Sequence, residues 1–116
     1  MSELIYIQMP ARWVTSPLKP KQVAPEKIIE AVTGFYGVSL ARILSKDRYR
    51  KIVRARHMIY YFLRTLTDES LVGIADRMNR KEHTGIIHGV EKIRNFYILY
   101  PDVRYEVDTL KFKLTA

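Results

Sequence analysis

Arg80-Lys81-Glu82-His83-Thr84-Gly85-Ile86-Ile87-His88-Gly89-Val90-Glu91-Lys92-Ile93 reads as a short turn feeding a helix whose two sides require different surroundings. At about 100° per residue, Ile86, Val90, Ile93 and Tyr97 fall on one side, with Ile87 at its margin. Thr84, His88, Lys92 and Asn95 gather on the other. The first set can seat the helix on a core. The second is polar and rich in hydrogen-bonding groups, and Gly85 and Gly89 beside it remove bulk where a second molecule can approach closely. An ordinary solvated face is the bland alternative for such a helix, so its neighbours have to decide.

Immediately upstream, Thr67-Asp68-Glu69-Ser70 offers caps for a helix over Leu71 to Met78, in which Leu71, Ile74, Ala75 and Met78 keep a 3, 4 spacing. Asn79 can take the left-handed conformation that ends it. A short helix, a turn of three or four residues, and a second helix beginning near Glu82 with an exposed polar start is the pattern of a helix-turn-helix.

Further back, an apolar helix is expected from about Ile52 to Leu66. Its Ile52, Ala55, Met58, Ile59, Phe62, Leu63 and Leu66 cover one broad side and mark it as the centre of the domain. Arg56, His57, Tyr60 and Arg64 fall on the opposite side, in line with the charged link Lys46-Asp47-Arg48-Tyr49-Arg50-Lys51. Between Arg42 and Arg64 the basic residues Arg42, Lys46, Arg48, Arg50, Lys51, Arg54, Arg56 and Arg64 are opposed only by Asp47. Most charge runs are solvated surface; this one is dense and one-sided enough to suit phosphates. Pro25 opens a first helix carrying Ile28, Ile29, Val32, Phe35 and Tyr36, which Gly37 stops. Ser39 caps a second of about two turns with Leu40, Ile43 and Leu44. Pro101 opens the last, whose Val103, Val107, Leu110 and Leu114 close the core. Phe96, Tyr97, Tyr100 and Tyr105 read as packing, with a base-stacking platform as the alternative.

The expected fold is therefore all-α: a compact domain of about six helices over residues 25–116, preceded by an extended arm over residues 1–24. That arm carries Pro10, Pro17 and Pro20. Within it, Leu4-Ile5-Tyr6-Ile7 can pair or pack, and Trp13 is expected to dock on the domain. The 116 residues suit one domain, and the net charge of +8 points to an anionic partner, nucleic acid or membrane surface. No apolar run reaches the roughly 20 residues of a membrane span, and Met1 to Met9 lacks a secretory pattern, so a cytoplasmic protein is expected. The absence of cysteine excludes disulfides and thiolate zinc sites.

Ser45-Lys46-Asp47-Arg48-Tyr49-Arg50, Arg54-Ala55-Arg56-His57 and Glu82-His83-Thr84-Gly85-Ile86-Ile87-His88 together resemble the C-terminal DNA-binding domain of the bacterial replication initiator DnaA, a Trp-repressor-like helix-turn-helix domain. The last motif is the most specific, and the resemblance runs from about Pro25 to the C-terminus. It implies an all-helical domain that reads a short A/T-rich box in double-stranded DNA, with the recognition helix in the major groove and a loop arginine in the neighbouring minor groove. By position, Arg48 matches the minor-groove arginine, and Glu82, His83 and Thr84 match the residues that meet base edges. Arg50, Arg56, His57, Arg64, Leu71, Ile86, His88 and Lys92 match positions that contact phosphates or support the interface, and Lys81 joins the DNA-binding candidates. Thr84 can offer its methyl to thymine and its hydroxyl to a base or phosphate. Glu82 can accept from a cytosine amino group or simply stabilise the helix as a first-turn acid.

Several positions depart from the family. Gly85 stands for a threonine, Glu82 for an aspartate, His57 for a glutamine, Asp47 for a basic residue, and Asn79-Arg80-Lys81 for a glycine-containing turn. The preferred box is expected to differ accordingly. No Gly-x-x-x-x-Gly-Lys-[Ser/Thr] loop is present, so no ATP-driven assembly is expected. The expectation is a standalone DNA-binding protein, of a phage or mobile element, that recruits replication factors, regulates a promoter or competes with a host initiator.

Catalysis would have to be built from His57, His83 and His88. His83 and His88 are about 140° apart around a helix, unlike the i, i+4 pair that grips a metal, and no nucleophile elbow accompanies them. No enzyme activity, cofactor or metal is expected. The competing binding readings are a protein-interaction adaptor that uses the aromatic C-terminal region and the arm, and general RNA or single-strand binding.

Overall fold

Residues 22–116 are described by the structure, a computed structural model; the expectations for Leu4-Ile5-Tyr6-Ile7 and Trp13 lie outside them. Six α-helices follow one another: α1 (Pro25–Tyr36), α2 (Leu40–Leu44), α3 (Arg50–Leu66), α4 (Leu71–Arg77), α5 (Thr84–Leu99) and α6 (Pro101–Thr115). Among the described residues there is no strand, and no helix is long and apolar enough to cross a membrane.

Local chemistry sets most boundaries. Pro25 occupies the first position of α1, and Gly37 leaves it in the left-handed region at φ 66°. Ser39 caps α2 by accepting the Arg42 N–H at 3.3 Å, and Ser70 caps α4 by accepting the Gly73 N–H at 3.0 Å. Asn79, at φ 59°, ends α4. The Asn79 N–H donates to Asp76 O at 3.2 Å and the Arg80 N–H to Ala75 O at 2.8 Å. Those two bonds form a Schellman closure built on asparagine.

Three boundaries differ from expectation. α2 ends at Leu44, short of two turns, because Ser45 turns extended and its hydroxyl donates to Arg42 O at 2.6 Å. α3 begins two residues early, at Arg50, because Asp47 holds the Tyr49 N–H at 2.9 Å and sets the chain for its first turn. α5 begins at Thr84, after a longer turn over Met78–His83, and the His83 carbonyl accepts from both Ile86 and Ile87 at 3.0 Å.

α3 is the centre: it packs against α1, α2, α4 and α5, while α6 closes the far side against α1 and α5. Its Ile52, Ala55, Met58, Ile59, Phe62, Leu63 and Leu66 are buried, together with Ile86, Val90 and Ile93 of α5 and Val103, Val107, Leu110 and Leu114 of α6. Val23 joins this core, its N–H donating to Leu66 O at 3.1 Å, and the Gln22 side chain bonds Asp68. The segment just before α1 is therefore fastened to the end of α3. Two aromatic residues depart from the packing expectation: Tyr105 is 69% and Tyr100 48% exposed, whereas Phe96 and Tyr97 are partly covered.

The closest approach to any glycine of the chain corrects the reading of Gly89. This residue is buried, and a Cβ there would lie 2.7 Å from His57 Cδ2 and 2.8 Å from Tyr60 Cδ2. The missing side chain admits α3 of the same chain, not a second molecule. Gly85, by contrast, has no such neighbour within 4 Å. His57 sits in this crossing with its ring 6.0 Å from that of Tyr60. Burial, aided by Lys92, Arg56 and Arg54, pushes its pKa from 6.5 down to about 4.

Two outcomes follow from the crossing. Gly89→Ala should destabilise the fold by about 1–3 kcal/mol, read as a lower urea midpoint, because ring atoms on both sides must move. For His57 the unfolded chain takes up the proton first. The stabilisation from keeping the ring neutral is thus whole above about pH 6.5 and drains as pH falls toward 4. Urea midpoints at pH 7 and pH 5 should show a larger loss for the native sequence than for His57→Gln, and equal losses would contradict the buried neutral ring.

Candidate nucleic-acid interface

The α2–α3 loop is shaped by its one acid. Asp47 accepts the Tyr49 N–H at 2.9 Å and the Arg42 Nε at 2.8 Å, and its own N–H donates to Ser45 Oγ at 3.1 Å. The Tyr49 N–H and the Arg42 guanidinium hold the Asp47 carboxyl below the usual carboxylate range. Asp47 is therefore a buckle that folds the loop and neutralises Arg42, leaving Lys46 and Arg48 exposed on the outside. Among the described residues neither Lys46, Arg48, Arg50 nor Lys51 is in an ion pair.

Beneath the loop lie Arg56 and Tyr60, which the sequence pattern put on an outward polar side of α3. Both are buried, at 8% and 3% exposure. The reason is the open C-terminal end of α2. Arg56 donates Nε to Ile43 O at 2.8 Å, and Nη2 to Ser45 O at 3.1 Å, Asp47 O at 3.0 Å and Arg42 O at 3.3 Å. The Arg42, Ile43 and Ser45 carbonyls carry the partial negative charge of a helix C-terminus, Asp47 O adds an acceptor from the loop, and together they offer a guanidinium good partners without a carboxylate. Burial and the neighbouring Arg80 charge lower the Arg56 pKa. Of the expected cationic row on α3, Arg56 thus faces inward, Arg54 pairs with Glu106 at 3.4 Å, and Arg64 is exposed.

Sequence reasoning missed Arg80. Its Nη2 donates to Ser45 O at 2.8 Å and Ile43 O at 3.4 Å, and its Nε to Tyr60 Oη at 3.2 Å. No local pattern signals a contact that spans 35 residues of chain. The Asp47 buckle had a faint signal in the spacing Asp-x-Tyr before a helix.

Loop and the start of α5 meet across an open cleft of about 420 Å³ lined by Lys46, Arg48, Arg56, His57, Tyr60, Arg80, Glu82, Gly85 and Ile86. Lys81 and Glu82 continue it into a second hollow with Lys46, Asp76, Asn79 and Arg80. Thr84, His88 and Lys92 are exposed along α5, His83 is half-buried, and no side chain caps the helix N-terminus. Ile86 is fully buried and can act only as support. Arg64 and Leu71 lie on the other flank of α5, lining a hollow with Ile87, Val90, Glu91 and Arg94. The candidates thus form two groups astride one helix, with Arg56, His57 and Ile86 as their inner scaffold. Cations, free N–H groups and a hydroxyl on one surface can hold a row of phosphates while a first helical turn reaches between them.

Comparison with known proteins accords with this geometry. Residues 25–93 match the family model of the bacterial dnaA protein helix-turn-helix. The chain is 35% identical over 94 residues to the chromosomal replication initiator protein DnaA of Roseiflexus castenholzii, a match covering 81% of this chain and 20% of that protein. With the protein of the same name from Rhodopseudomonas palustris the identity is 36% over 98 residues, covering 84% and 21%. With that of Streptococcus uberis it is 34% over 89 residues, covering 77% and 20%. The chain spans about a fifth of the length of these relatives. With the three motifs carried on the loop, α3 and α5 of a helix-turn-helix domain, the chain belongs to the bacterial DnaA helix-turn-helix family.

Proposed function

We propose that this chain binds double-stranded DNA sequence-specifically at a site like the initiator's box, in replication initiation or its regulation. Residues 25–116 act as the reading unit and residues 1–24 as an appended arm. Glu82, His83 and Thr84 at the start of α5 meet base edges in the major groove, and Arg48 enters the adjacent minor groove. Arg50, Arg64, Lys81, His88 and Lys92 take phosphates, Leu71 flanks them, and Arg56, His57 and Ile86 hold the interface in shape. The observation that carries this reading is the shared cleft in which Arg48 of the loop faces Glu82 and Gly85 at the head of α5. His57 contributes as a neutral ring, since its pKa near 4 leaves it uncharged at neutral pH.

A second reading, a protein-interaction adaptor whose partner is a replication protein or host initiator, is favoured by one feature. Ile98, Leu99, Tyr105 and Phe112 are 68%, 64%, 69% and 74% exposed at the far end of α5 and along α6. It requires neither Arg48 nor His83.

Duplexes selected from a random pool should share a short A/T-rich element, and in a mobility-shift titration the chain should prefer it to a scrambled duplex. Equal affinity at moderate salt would defeat sequence reading. Arg48→Ala should lower the slope of log affinity against log salt by about one unit, and an unaltered slope would remove Arg48 from the contact. Thr84→Ala should instead relax base preference, by about 1–3 kcal/mol at one position, with the salt slope kept.

A further inference from the structure

We propose that Arg80 is a positioning residue for this interface: it ties the turn before α5 to the loop carrying Lys46 and Arg48, and so sets the spacing between the two walls of the cleft. The inference rests on the DNA-binding reading above and adds to it a residue that need touch no DNA.

Arg80 is anchored at both ends. Its backbone N–H closes α4 on Ala75 O at 2.8 Å, so its Cα cannot drift from the helix-turn-helix. Its guanidinium reaches Ser45 O at 2.8 Å in the loop and Tyr60 Oη at 3.2 Å on α3. Ser45 O also accepts from Arg56 at 3.1 Å, and Ile43 O accepts from both arginines. Two like charges thus share the carbonyl end of α2, an arrangement that costs repulsion and holds only while both forks donate to it. Arg56 comes from α3, whereas Arg80 comes from the element that delivers the recognition helix. Without Arg80, Arg56 would still fix the loop to the core, but nothing among these bonds would fix the loop to the turn. The three residues that follow Ser45 include Lys46 and Arg48, both of which line the cleft. A shift at Ser45 therefore carries straight into the cations. Arg80 is itself half-buried in that cleft, so direct capture of a phosphate is the competing role that the experiment must separate.

The test is a double-mutant cycle on the full chain with Arg80→Ala, Arg80→Lys and Arg48→Ala, each with and without its partner substitution. Binding to the selected duplex is titrated across salt concentrations, and amide hydrogen exchange at Asp47 and Tyr49 is followed without DNA. A positioning role predicts that Arg80→Ala weakens binding about tenfold in the native background and far less in the Arg48→Ala background. Arg80→Lys, which keeps the charge but loses the planar fork, should not restore binding, and exchange at Asp47 and Tyr49 should quicken while the melting temperature changes little. An equal fold loss in both backgrounds with rescue by lysine would overturn the proposal in favour of a direct phosphate contact. Unaltered exchange would overturn the tie itself. If Arg48→Ala alone binds like the native chain, the interface reading fails, and quickened exchange in Arg80→Ala would show that the failure lies there and not in the tie.

Discussion

The crossing of α3 and α5 at Gly89 is the constraint on which the rest hangs. α5 can turn Thr84, His88 and Lys92 outward only because Ile86, Val90 and Ile93 are locked into the core on its other side. The depth of that lock is set where His57 and Tyr60 lie against a residue with no side chain. A larger residue there would lift α5 away from α3, and with it the wall that faces the loop. One glycine thus links core packing to the geometry of the cleft, with rings on α3 transmitting the distance.

Electrostatics would oppose that cleft if the backbone did not compensate. Arg56 and Arg80 stand side by side, and the Arg80 charge raises the cost of charging Arg56. What holds them is the unsatisfied carbonyl end of the short helix α2, where the chain leaves helical geometry at Ser45. α2 is therefore more than a connector. Its early end, which looks like a weakness in the sequence, exposes the acceptors on which two guanidiniums and the loop converge.

Much of the fold was legible because its boundaries are local chemistry. Pro25, Gly37, Ser39, Ser70, Asn79 and Pro101 each act on their own few residues, and the apolar spacing of α3, α5 and α6 marks the sides that are buried. Those signals need no knowledge of what lies across the core. Arg56, Tyr60 and Gly89 were misread for the complementary reason. Arg56 and Tyr60 sit toward the polar side of α3 and Gly89 at the margin of the apolar side of α5, and a helical wheel cannot say that the end of α2 covers Arg56 or that α3 crosses at Gly89. Arg80 was missed because its partners are reached through space from a turn. That the candidates Arg48, Thr84, His88 and Lys92 lie at the surface was legible from the charged link and the polar side of α5. The scaffold that orients them was not.

The net charge of +8 gave the sign of a partner without its address. Under the proposed reading, pairing narrows that address by subtraction. Arg42, Arg54 and Arg77 are held by acids, Arg56 and Arg80 by the end of α2, and Arg104 by the carbonyls of Tyr97 and Ile98 at the end of α5. Among the described residues, the exposed cations left over include Lys27 on α1 and Lys111 and Lys113 on α6. The rest are Lys46, Arg48, Arg50, Lys51, Arg64, Lys81, Lys92 and Arg94. All eight of that second group belong to the loop, α3, the turn or α5. The paired arginines and these eight exposed cations come largely from the same elements, so pairing separates the cations that shape the fold from those left to solvent. Under the proposed DNA-binding reading, each of these unpaired cations can exchange its counterions for phosphates without first breaking a bond within the fold.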